Sequence, residues 1–521
     1  MTQKTASNFK DKWDNFVDGL FHRCDGSSLA VFRILIGSLL MYDVFKTFPY
    51  IQWRTRHTLS DFRPNYYGFE WVQLDPTLVA LCTNSLPFLA FCIVLGLFYR
   101  IAMPLTVLMF TYLFLLFPEH YLNHYYMLLL LCTLMIFTPA HKVWSIDSLI
   151  KKRTSDDTDQ TVPVWSYWIL KIQTEIILIY AGLVKINYDW LNLQPLSTWV
   201  RVGTYDIPYI GWFFMYEDVI AFGAYGVILL HVIGAPLLFW KKTRLYVFGL
   251  YICFHLANSA LFNIGIFPYM TIVATLLFFA PDWPRMFLAK ATPITNSFKL
   301  LYLNLKSYKP PKKITVTLIA IWMTIQILLP LPVLFTSNLE TAWHGHGNFF
   351  TWRMMLNNRR IHGAVFVVHI PQRRRIEFVP MRKHLSRRQC TRISWKGNLT
   401  VQYANFLEEF YQNKYDTDDV RVHAYINLSV NYRAPELWAK PDVNLAEYDI
   451  MFGVHDWQES VDNPLRSWRE TVKEPDFENP TYGEILTLMK LPQEEIIVLN
   501  DATDTLDNRP GPPDCYTNIE W

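Results

Sequence analysis

Four charged side chains stand in a stretch that is otherwise apolar, between Trp165 and Trp190. They are Lys171, Glu175, Lys185 and Asp189. With about 100° of rotation per residue of an α-helix, all four fall within one arc of about 80°. Charged groups inside a bilayer cost roughly 2.5–3.5 kcal/mol or more each, so such a stripe must face protein or a water-filled cavity. These residues are therefore the first candidates for chemistry.

Lys185 has the least obvious structural role of the four. Lys171 and Glu175 are spaced as a helical i,i+4 ion pair, so Glu175 can simply neutralise Lys171. Asp189 lies near the end of the span, where it can cap or anchor the helix. A lysine amine in apolar surroundings can be neutral near pH 7 and act as a base. The alternatives for Lys185 are snorkelling to the membrane interface or pairing with Asp189.

Three histidines in or beside apolar segments are further candidates. His141 ends the predicted fourth span, and His231 and His255 lie inside spans. A lone histidine on an apolar face is more often a hydrogen-bonded core residue than a catalyst. Asn258 lies one helical turn after His255 and offers a second polar group. The chain has no HExxH, P-loop, GxGxxG or GxSxG motif and no CxxC pair, so metal, nucleotide and serine-hydrolase chemistry lack their usual sequence support.

The composition indicates what must position these residues. The chain has 521 residues, of which 51% are hydrophobic and 18% charged, against about 25% charged in soluble globular chains. Residues 1–336 hold 46 of the 93 charges and residues 337–521 hold the other 47. A membrane-embedded part followed by a water-soluble part is predicted. A soluble enzyme, a disordered or collagen-like chain and a small disulfide scaffold are excluded, and the net charge of +3 is too small for a nucleic-acid binder.

Nine transmembrane helices are predicted, each needing roughly 20 apolar residues. Positively charged short loops stay cytoplasmic. Nine spans place the basic residues of 151–153, 241–244 and 289–313 on one side with the N-terminus. The predicted spans are Leu29–Phe48, Thr77–Tyr99, Ile101–Pro118, Tyr121–Ala140, Trp165–Ile186, Asp218–Phe239, two within Leu245–Ala280, and Thr315–Phe335.

We therefore expect a mostly α-helical integral membrane protein with a smaller β-rich domain outside the cytoplasm. The predicted parts are a cytoplasmic segment over 1–28, a multi-pass helical domain over 29–336, a β-rich extracytoplasmic or lumenal domain over 337–505 and a tail over 506–521. Cys390 and Cys515 lie in the outer part, where a disulfide and two free thiols both fit the sequence.

Local patterns predict the elements of the outer domain. Ala364–Ile370, Ile376–Val379 and Val420–Tyr432 have the alternating or continuous apolar pattern of strands. Thr400–Asn413 is typical of a helix.

Eight short segments occur in an order and at spacings that make up a family pattern. They are Phe32–Met41, Gly96–Ile101, Leu122–Tyr126, His141–Asp147, Ala181–Trp190, Phe254–Tyr269, Pro281–Arg285 and Trp352–Met355. In these segments the chain resembles the vitamin K-dependent gamma-glutamyl carboxylases and their bacterial relatives with a horizontally transferred transmembrane domain. The similarity runs from about residue 20 to residue 460.

The resemblance implies a fold and an activity. It implies nine spans and a lumenal or extracytoplasmic C-terminal domain, in an endoplasmic reticulum or bacterial inner membrane with the N-terminus cytoplasmic. It also implies that vitamin K hydroquinone is oxidised by O2 to the 2,3-epoxide while a glutamate side chain loses a γ-proton and gains CO2. The partners implied are a glutamate-containing protein or peptide and the lipid bilayer, with no nucleic acid and no metal.

Site residues follow from the same resemblance. By position, Lys185 is the lysine that deprotonates the hydroquinone, and His141 is the histidine that assists. His255 and Asn258 are expected to line the cofactor pocket.

Trp352 and Met355 match the segment beside the substrate glutamate, although buried packing is the default role for both. Val184 stands where the animal enzymes have a second lysine, and the chain is shorter than those enzymes. Two alternatives therefore stay open: a hydroquinone epoxidase without glutamate carboxylation, and a non-enzymatic multi-pass membrane protein.

Overall fold

The structure is a computed structural model. It describes residues 2–47, 61–154, 159–204, 207, 210–262, 264–291, 312–451, 453–467, 470, 477–499 and 505–509. These residues form a helical body, residues 2–334, and a C-terminal domain, residues 338–509, each with a large hydrophobic core.

The body consists of helices that begin and end at recognisable turn signals. The Asp75 carboxylate caps the helix that starts at Pro76, and Gly96 ends it in the left-handed conformation. The helices are α1 (Thr2–Phe21), α2 (Ser27–Thr47), α3 (Pro76–Leu95), α4 (Tyr99–Leu116), α5 (Asn123–Phe137), α6 (Ile146–Thr154), α7 (Trp165–Leu183), α8 (Tyr188–Leu191), α9 (Leu196–Thr204), α10 (Ile210–Phe213), α11 (Glu217–Leu229), α12 (Ala235–Leu237), α13 (Arg244–Leu261), α14 (Phe267–Thr275), α15 (Trp283–Ala291) and α16 (Lys312–Leu328). A π-helical turn, Leu230–Gly234, joins α11 to α12.

Five helices in the described part of the chain are long and apolar enough to cross a membrane, or six if one bent pair counts as a span. They are Ser27–Lys46, Pro76–Leu95, Tyr99–Leu116, Glu217–Leu237 and Lys312–Leu334, and the bent pair is Phe267–Phe278 with Trp283–Ala289. The prediction of nine spans is thus confirmed only in part. α5 has only 15 residues, α7 and α13 carry charged and polar side chains, and the bent pair turns through 90°.

α7 occupies the middle of the body. It packs against α5, α11, α14, α16 and the π-helical turn, and most of its residues are buried. At its start, β1 (Arg23–Asp25) pairs antiparallel with β2 (Thr161–Pro163). α7 ends at Leu183, so the predicted stripe is divided: Lys171 and Glu175 lie on α7, Lys185 follows it and Asp189 lies on α8. Glu175, Lys185 and Asp189 are all buried in protein, as the cost of charges in a bilayer requires.

The C-terminal domain is built on a five-stranded sheet. β3 (Arg359–Ile370) pairs antiparallel with β4 (Arg375–Val379) and with β5 (Arg421–Val430). β6 (Glu436–Leu437) pairs antiparallel with β5 at one edge, and β7 (Ile496–Val498) pairs parallel with β4 at the other. The remaining helices are α17 (Asn338–His344), α18 (Met381–His384), α19 (Arg387–Ile393), α20 (Gly397–Tyr415) and α21 (Tyr482–Leu488).

Successive side chains of β3 point to opposite faces of the sheet, and both faces are buried. Phe366 and Val368 pack with α20, and Val365 and Val367 pack with α21. A sheet in the C-terminal part is confirmed, together with the predicted strands and the predicted helix over 400–413. Helices on both faces make the domain more helical than the expected β-rich fold.

Two expectations for this part stay predictions. Cys515 lies outside the described residues, so its pairing with the buried Cys390 is still a prediction. The domain boundaries and the tail over 506–521 are also predictions.

Candidate active site

Lys185 follows the last turn of α7 and its side chain is only 6% exposed. Its Nζ donates hydrogen bonds to the Ala181 carbonyl at 3.0 Å and to the Met354 carbonyl at 3.1 Å. The Trp190 ring centroid lies 5.2 Å from Nζ. No carboxylate of the described residues forms an ion pair with this amine. Lys185 is thus held by carbonyl groups inside the protein, and the snorkelling alternative is wrong.

Asp189 bonds to the C-terminal domain rather than to Lys185. Its carboxylate oxygens accept hydrogen bonds from Arg433 Nη2 at 2.7 Å and Arg433 Nη1 at 2.8 Å. Asn431 Nδ2 adds a third bond at 2.7 Å. The side chains of Arg433 and Asp189 are 3% and 2% exposed. This buried bidentate pair anchors the domain to the body, and the pairing of Lys185 with Asp189 is wrong.

The segment 349–355 of the C-terminal domain has an unusual backbone. Phe350, Trp352 and Met355 have φ angles of 61°, 58° and 55°. Residues other than glycine seldom adopt this left-handed region, and such conformations persist only where the surroundings fix them.

Contacts with the body fix this segment. The Phe350 N–H donates to the Tyr121 hydroxyl at 2.8 Å. The Trp352 ring stacks on Tyr126, with 4.9 Å between centroids, and is 1% exposed. Together with the bond from Lys185 to Met354, these contacts seat the segment on the ends of α5 and α7. Trp352 is thus a buried packing residue in this structure, and Met355 is half-buried.

A cleft of about 410 Å³ lies beside Lys185. Ligand pockets for small molecules typically have volumes of about 300–1,000 Å³. Val184, Ile186 and Leu334 form an apolar part of the wall, and Asn187 and Arg353 contribute polar groups. The residues immediately before and after Lys185 in the sequence therefore line the cleft, together with residues of the C-terminal domain.

His255 lies on α13 and is 1% exposed. Neither of its ring nitrogens has a hydrogen-bond partner among the described residues. Asn258, one turn further along, is half-buried. Phe254, next to His255, packs in the same apolar cluster as Val184 and Leu334 of the cleft wall. A buried imidazole without a partner needs an explanation, and a bound polar group is one.

His231 is a hydrogen-bonded core residue. Its Nδ1 lies 2.8 Å from the Val227 carbonyl in the preceding turn. A Cβ atom added at Gly182 would come within 2.8 Å of the His231 Cβ. Glycine at position 182 therefore allows α7 to approach the π-helical turn closely, three residues before Lys185.

Lys171 and Glu175 do not form the ion pair that their spacing suggests. The Lys171 amine lies 5.8 Å from the ring centroids of Tyr167 and Trp168. Glu175 is 8% exposed, and neither of its oxygens has a hydrogen-bond partner among the described residues. α7 therefore carries a buried carboxyl group without a hydrogen-bond partner among the described residues.

His141 lies at the opposite end of the body from Lys185. Its ring stacks on Tyr99, with 5.4 Å between centroids. The next residue, Lys142, donates to the Thr161 carbonyl at 3.3 Å, just before α7 begins. α7 has 19 residues, so its two ends are about 28 Å apart. The structure therefore does not bring His141 to Lys185.

Three partners at this site escaped the sequence reasoning: the Met354 carbonyl, the Trp190 ring and the Arg433 guanidinium. A main-chain carbonyl has no side-chain signature that a sequence could show. The position of Asp189 in the charged stripe was the one signal that a basic partner was needed. In the parts of the chain that the structure describes, no three His, Cys, Asp or Glu side chains are grouped to hold a metal ion.

Two family models match the chain. The HTTM domain model matches residues 21–283, about half of the chain. The model of the vitamin K-dependent gamma-carboxylase lumenal domain matches residues 311–463. No solved structure matches the chain. Lys185 lies in the first match and its partner Met354 lies in the second.

Proposed function

Because the chain belongs to the vitamin K-dependent gamma-carboxylase family, we propose that it oxidises vitamin K hydroquinone with O2 and carboxylates glutamate side chains. One oxygen atom of O2 enters the 2,3-epoxide and the other leaves as water, while CO2 replaces a γ-proton of the glutamate. The observation that supports this proposal is the buried Lys185 amine, which joins the two matched domains. When bound, the reduced vitamin supplies the strong base that removes the γ-proton.

Lys185 is proposed as the base that accepts the first proton from the hydroquinone. A neutral lysine amine has two N–H bonds and one lone pair. The carbonyls of Ala181 and Met354 can accept the two N–H bonds, which leaves the lone pair free to take a proton. The surrounding protein keeps water from the amine and would protect reactive species from premature protonation.

The residues around the cleft fit a flat apolar ring with polar edges. Val184, Ile186 and Leu334 offer an apolar wall, and Arg353 offers hydrogen-bond donors. We propose that His255, with its two unpartnered nitrogens, holds a polar group of the cofactor from the side of α13. Asn258 would assist from the same helix.

Trp352 and Met355 are proposed to lie beside the substrate glutamate. Both flank Met354 and belong to the segment that closes over the end of α7. The substrate would reach Lys185 and the cofactor from this side of the molecule. The C-terminal domain would then be lumenal or extracytoplasmic and the N-terminus cytoplasmic.

A role for His141 in the reaction also stays a proposal, which rests on the resemblance. In this structure His141 touches Tyr99 at the far end of the body. Its contribution would therefore be to position the body helices, rather than to move a proton at Lys185.

The proposal is tested with the full chain reconstituted in lipid bilayers. The protein is supplied with vitamin K hydroquinone, O2, labelled CO2 and a glutamyl peptide, and both epoxide and labelled peptide are measured. Loss of a general base costs about 10²- to 10⁴-fold in rate, which is the loss expected for Lys185→Ala. Lys171→Ala, a lysine on the same helix without a carbonyl contact, is the matched control and should keep both products.

Each outcome separates the alternatives. Epoxide without labelled peptide would leave a hydroquinone epoxidase. Neither product from a folded chain would favour a non-enzymatic membrane protein. Full epoxide formation by Lys185→Ala would remove Lys185 from the reaction.

A further inference from the structure

Two guanidinium groups of the C-terminal domain line the cleft beside Lys185, and only one of them has a counter-charge among the described residues. Arg433 forms the buried bidentate pair with Asp189. Arg353 is 8% exposed and forms no ion pair with a carboxylate of the described residues. Burial of a charge is costly unless an opposite charge or hydrogen bonds compensate it, so Arg353 calls for an anionic partner.

The hydrogen bonds of Arg353 leave most of its guanidinium without an acceptor. Nη2 donates to the Asn338 side-chain oxygen at 2.5 Å and to the Asn338 carbonyl at 3.4 Å. Nε and Nη1 form no hydrogen bond within the part of the chain that the structure describes. Burial lowers the pKa of Arg353 to about 10, so the group is still positively charged at neutral pH. Asn338 therefore fixes one edge of the guanidinium, and the N–H groups of the other two nitrogens remain for a ligand.

Arg353 is also a close neighbour of the Lys185 amine. It directly precedes Met354, whose carbonyl accepts the 3.1 Å hydrogen bond from Lys185 Nζ, and consecutive Cα atoms are about 3.8 Å apart. The positive charge of Arg353 acts on that amine. A group that gives a proton to Lys185 would therefore gain its negative charge close to the guanidinium.

The wall of the cleft favours an aromatic anion over a carboxylate on a flexible chain. Val184, Ile186 and Leu334 make part of this wall apolar, and the volume of about 410 Å³ lies in the range of pockets that hold small molecules. An aromatic ring gains free energy from the apolar wall, and a negatively charged oxygen on that ring gains it from Arg353. A carboxylate would use the guanidinium alone. The combination therefore indicates a site for an ionised aromatic hydroxyl group.

We propose that Arg353 is a further catalytic residue, which stabilises the negative charge on the aromatic oxygen from which Lys185 takes a proton. The proton moves to the lone pair of the Lys185 amine, and the electron pair of the broken O–H bond stays on the oxygen. The total charge of the three groups does not change, and the new negative charge lies beside the fixed guanidinium. The identity of the ligand as a hydroquinone rests on the proposed function, whereas the site for an aromatic oxyanion rests on Arg353 and the cleft.

Ionisation of a bound probe tests the proposal without turnover. The full chain in lipid nanodiscs is mixed under nitrogen with 2-methyl-1-naphthol, whose neutral and ionised forms absorb at different wavelengths. We expect the ionisation midpoint of the bound naphthol to be at least about one pH unit lower on the wild type than on Arg353→Gln, a change of about 10-fold in the ionisation constant. Arg353→Lys keeps the charge without the planar fork and should keep part of the difference.

Two controls keep the test decisive. Arg421→Gln makes the same charge change in the same domain, at a side chain that is 51% exposed, and should leave the midpoint unchanged. The unfolding temperature of each variant shows whether it folds. If Arg353→Gln does not fold, the wild type alone decides, because at pH 8 it should bind the naphthol at least about 10-fold more tightly than the methyl ether of the naphthol, which has no proton to lose.

An equal midpoint on the wild type and on folded Arg353→Gln would overturn the proposal, and so would equal binding of the naphthol and its methyl ether. A glutamyl peptide that needs Arg353 for binding while the naphthol does not would overturn it as well, in favour of a carboxylate site. A chain that forms no epoxide, yet ionises the naphthol through Arg353, would support this proposal while the proposed function fails.

Discussion

The two ends of α7 are held by different kinds of contact. At the end that faces the C-terminal domain, Lys185 and Asp189 are nearly inaccessible and bond to Met354 and Arg433 of that domain. At the far end, Lys171 lies on aromatic rings, and the nearby ion pairs are partly exposed and lie within the body. The far end is therefore complete without the C-terminal domain, whereas the end with the candidate active site is not.

The largest expected effect comes from breaking the buried pair between Asp189 and Arg433. Asp189→Ala leaves Arg433 without its partner, and such losses cost about 3–5 kcal/mol. Denaturant unfolding of the full chain in detergent measures this change. Asp25→Ala at the far end is the matched variant, because Asp25 and Arg285 form a 2.8 Å pair in which the side chains are 25% and 30% exposed. Asp25→Ala also loses the 2.8 Å bond that Asp25 accepts from the Ser27 N–H, so it should cost about 1–2 kcal/mol. Equal losses would erase the difference between the two ends.

The next effect concerns the packing just before Lys185. Gly182→Ala would push α7 away from the π-helical turn, because the new Cβ would meet His231 at 2.8 Å. A small displacement of a catalytic group is costly, and we expect epoxide formation to fall about 10- to 100-fold. Gly226→Ala on α11, where nothing lies within 4 Å, is the control and should leave the rate unchanged. A normal rate for Gly182→Ala would show that the close approach is not needed.

The third prediction compares the effect of His141→Ala, at the far end of the body, with that of Lys185→Ala. Because His141 lies near the start of α7 and Lys185 follows its end, about 28 Å further along the helix, removal of His141 should lower the rate of epoxide formation by less than about 10-fold, far less than Lys185→Ala. The measurement is kcat with saturating hydroquinone. A loss as large as that of Lys185→Ala would return His141 to the reacting groups and would require another arrangement of the body.

The smallest effect is a pH dependence at the contact between the body and the domain. Burial raises the pKa of Glu119 to about 7, although Arg388 and Lys396 oppose the shift. The folded state therefore binds a proton more tightly than the unfolded chain, where the pKa is about 4.3. The stability from this proton is present at low pH and is lost as the pH rises through 7.

Thermal unfolding at pH 5.5 and pH 8 measures this effect. The unfolding temperature of the wild type should fall by a few degrees more than that of Glu119→Gln, which cannot lose the proton. Parallel curves for the two proteins would contradict the expected burial of Glu119.

Local patterns predicted the parts of the molecule that depend on local physics. The helix α7, the strands of the sheet and α20 all follow from the period of one element. The single stripe of four charges was wrong in its second half, because α7 ends at Leu183 and Asp189 lies on the separate helix α8. The partners of Lys185 and Asp189 lie 169 and 244 residues further along the chain, and no local pattern specifies them. The resemblance predicted that His141 and Lys185 act in one reaction. A match of sequence segments does not give the distance between two residues in space.

Counting apolar residues also did not predict the number of membrane spans correctly. α7 is buried among other helices, so it tolerates Lys171 and Glu175 and loses the hydropathy of a lipid-facing span. The sequence shows the polar residues of α7. The same residues lower its mean hydropathy, so α7 is not among the helices that are apolar enough to count as membrane spans.

The hydrogen bond from Lys185 to the Met354 carbonyl has a consequence for biosynthesis. Met354 is translated after the whole helical body, and its segment is held against that body by contacts with Tyr121, Tyr126 and Lys185. A chain that is still being made, or one clipped after α16, offers Lys185 only the Ala181 carbonyl. The base would be completed only after the segment that follows the helical body has been made and seated, so an unfinished copy in the membrane would not consume quinol and oxygen.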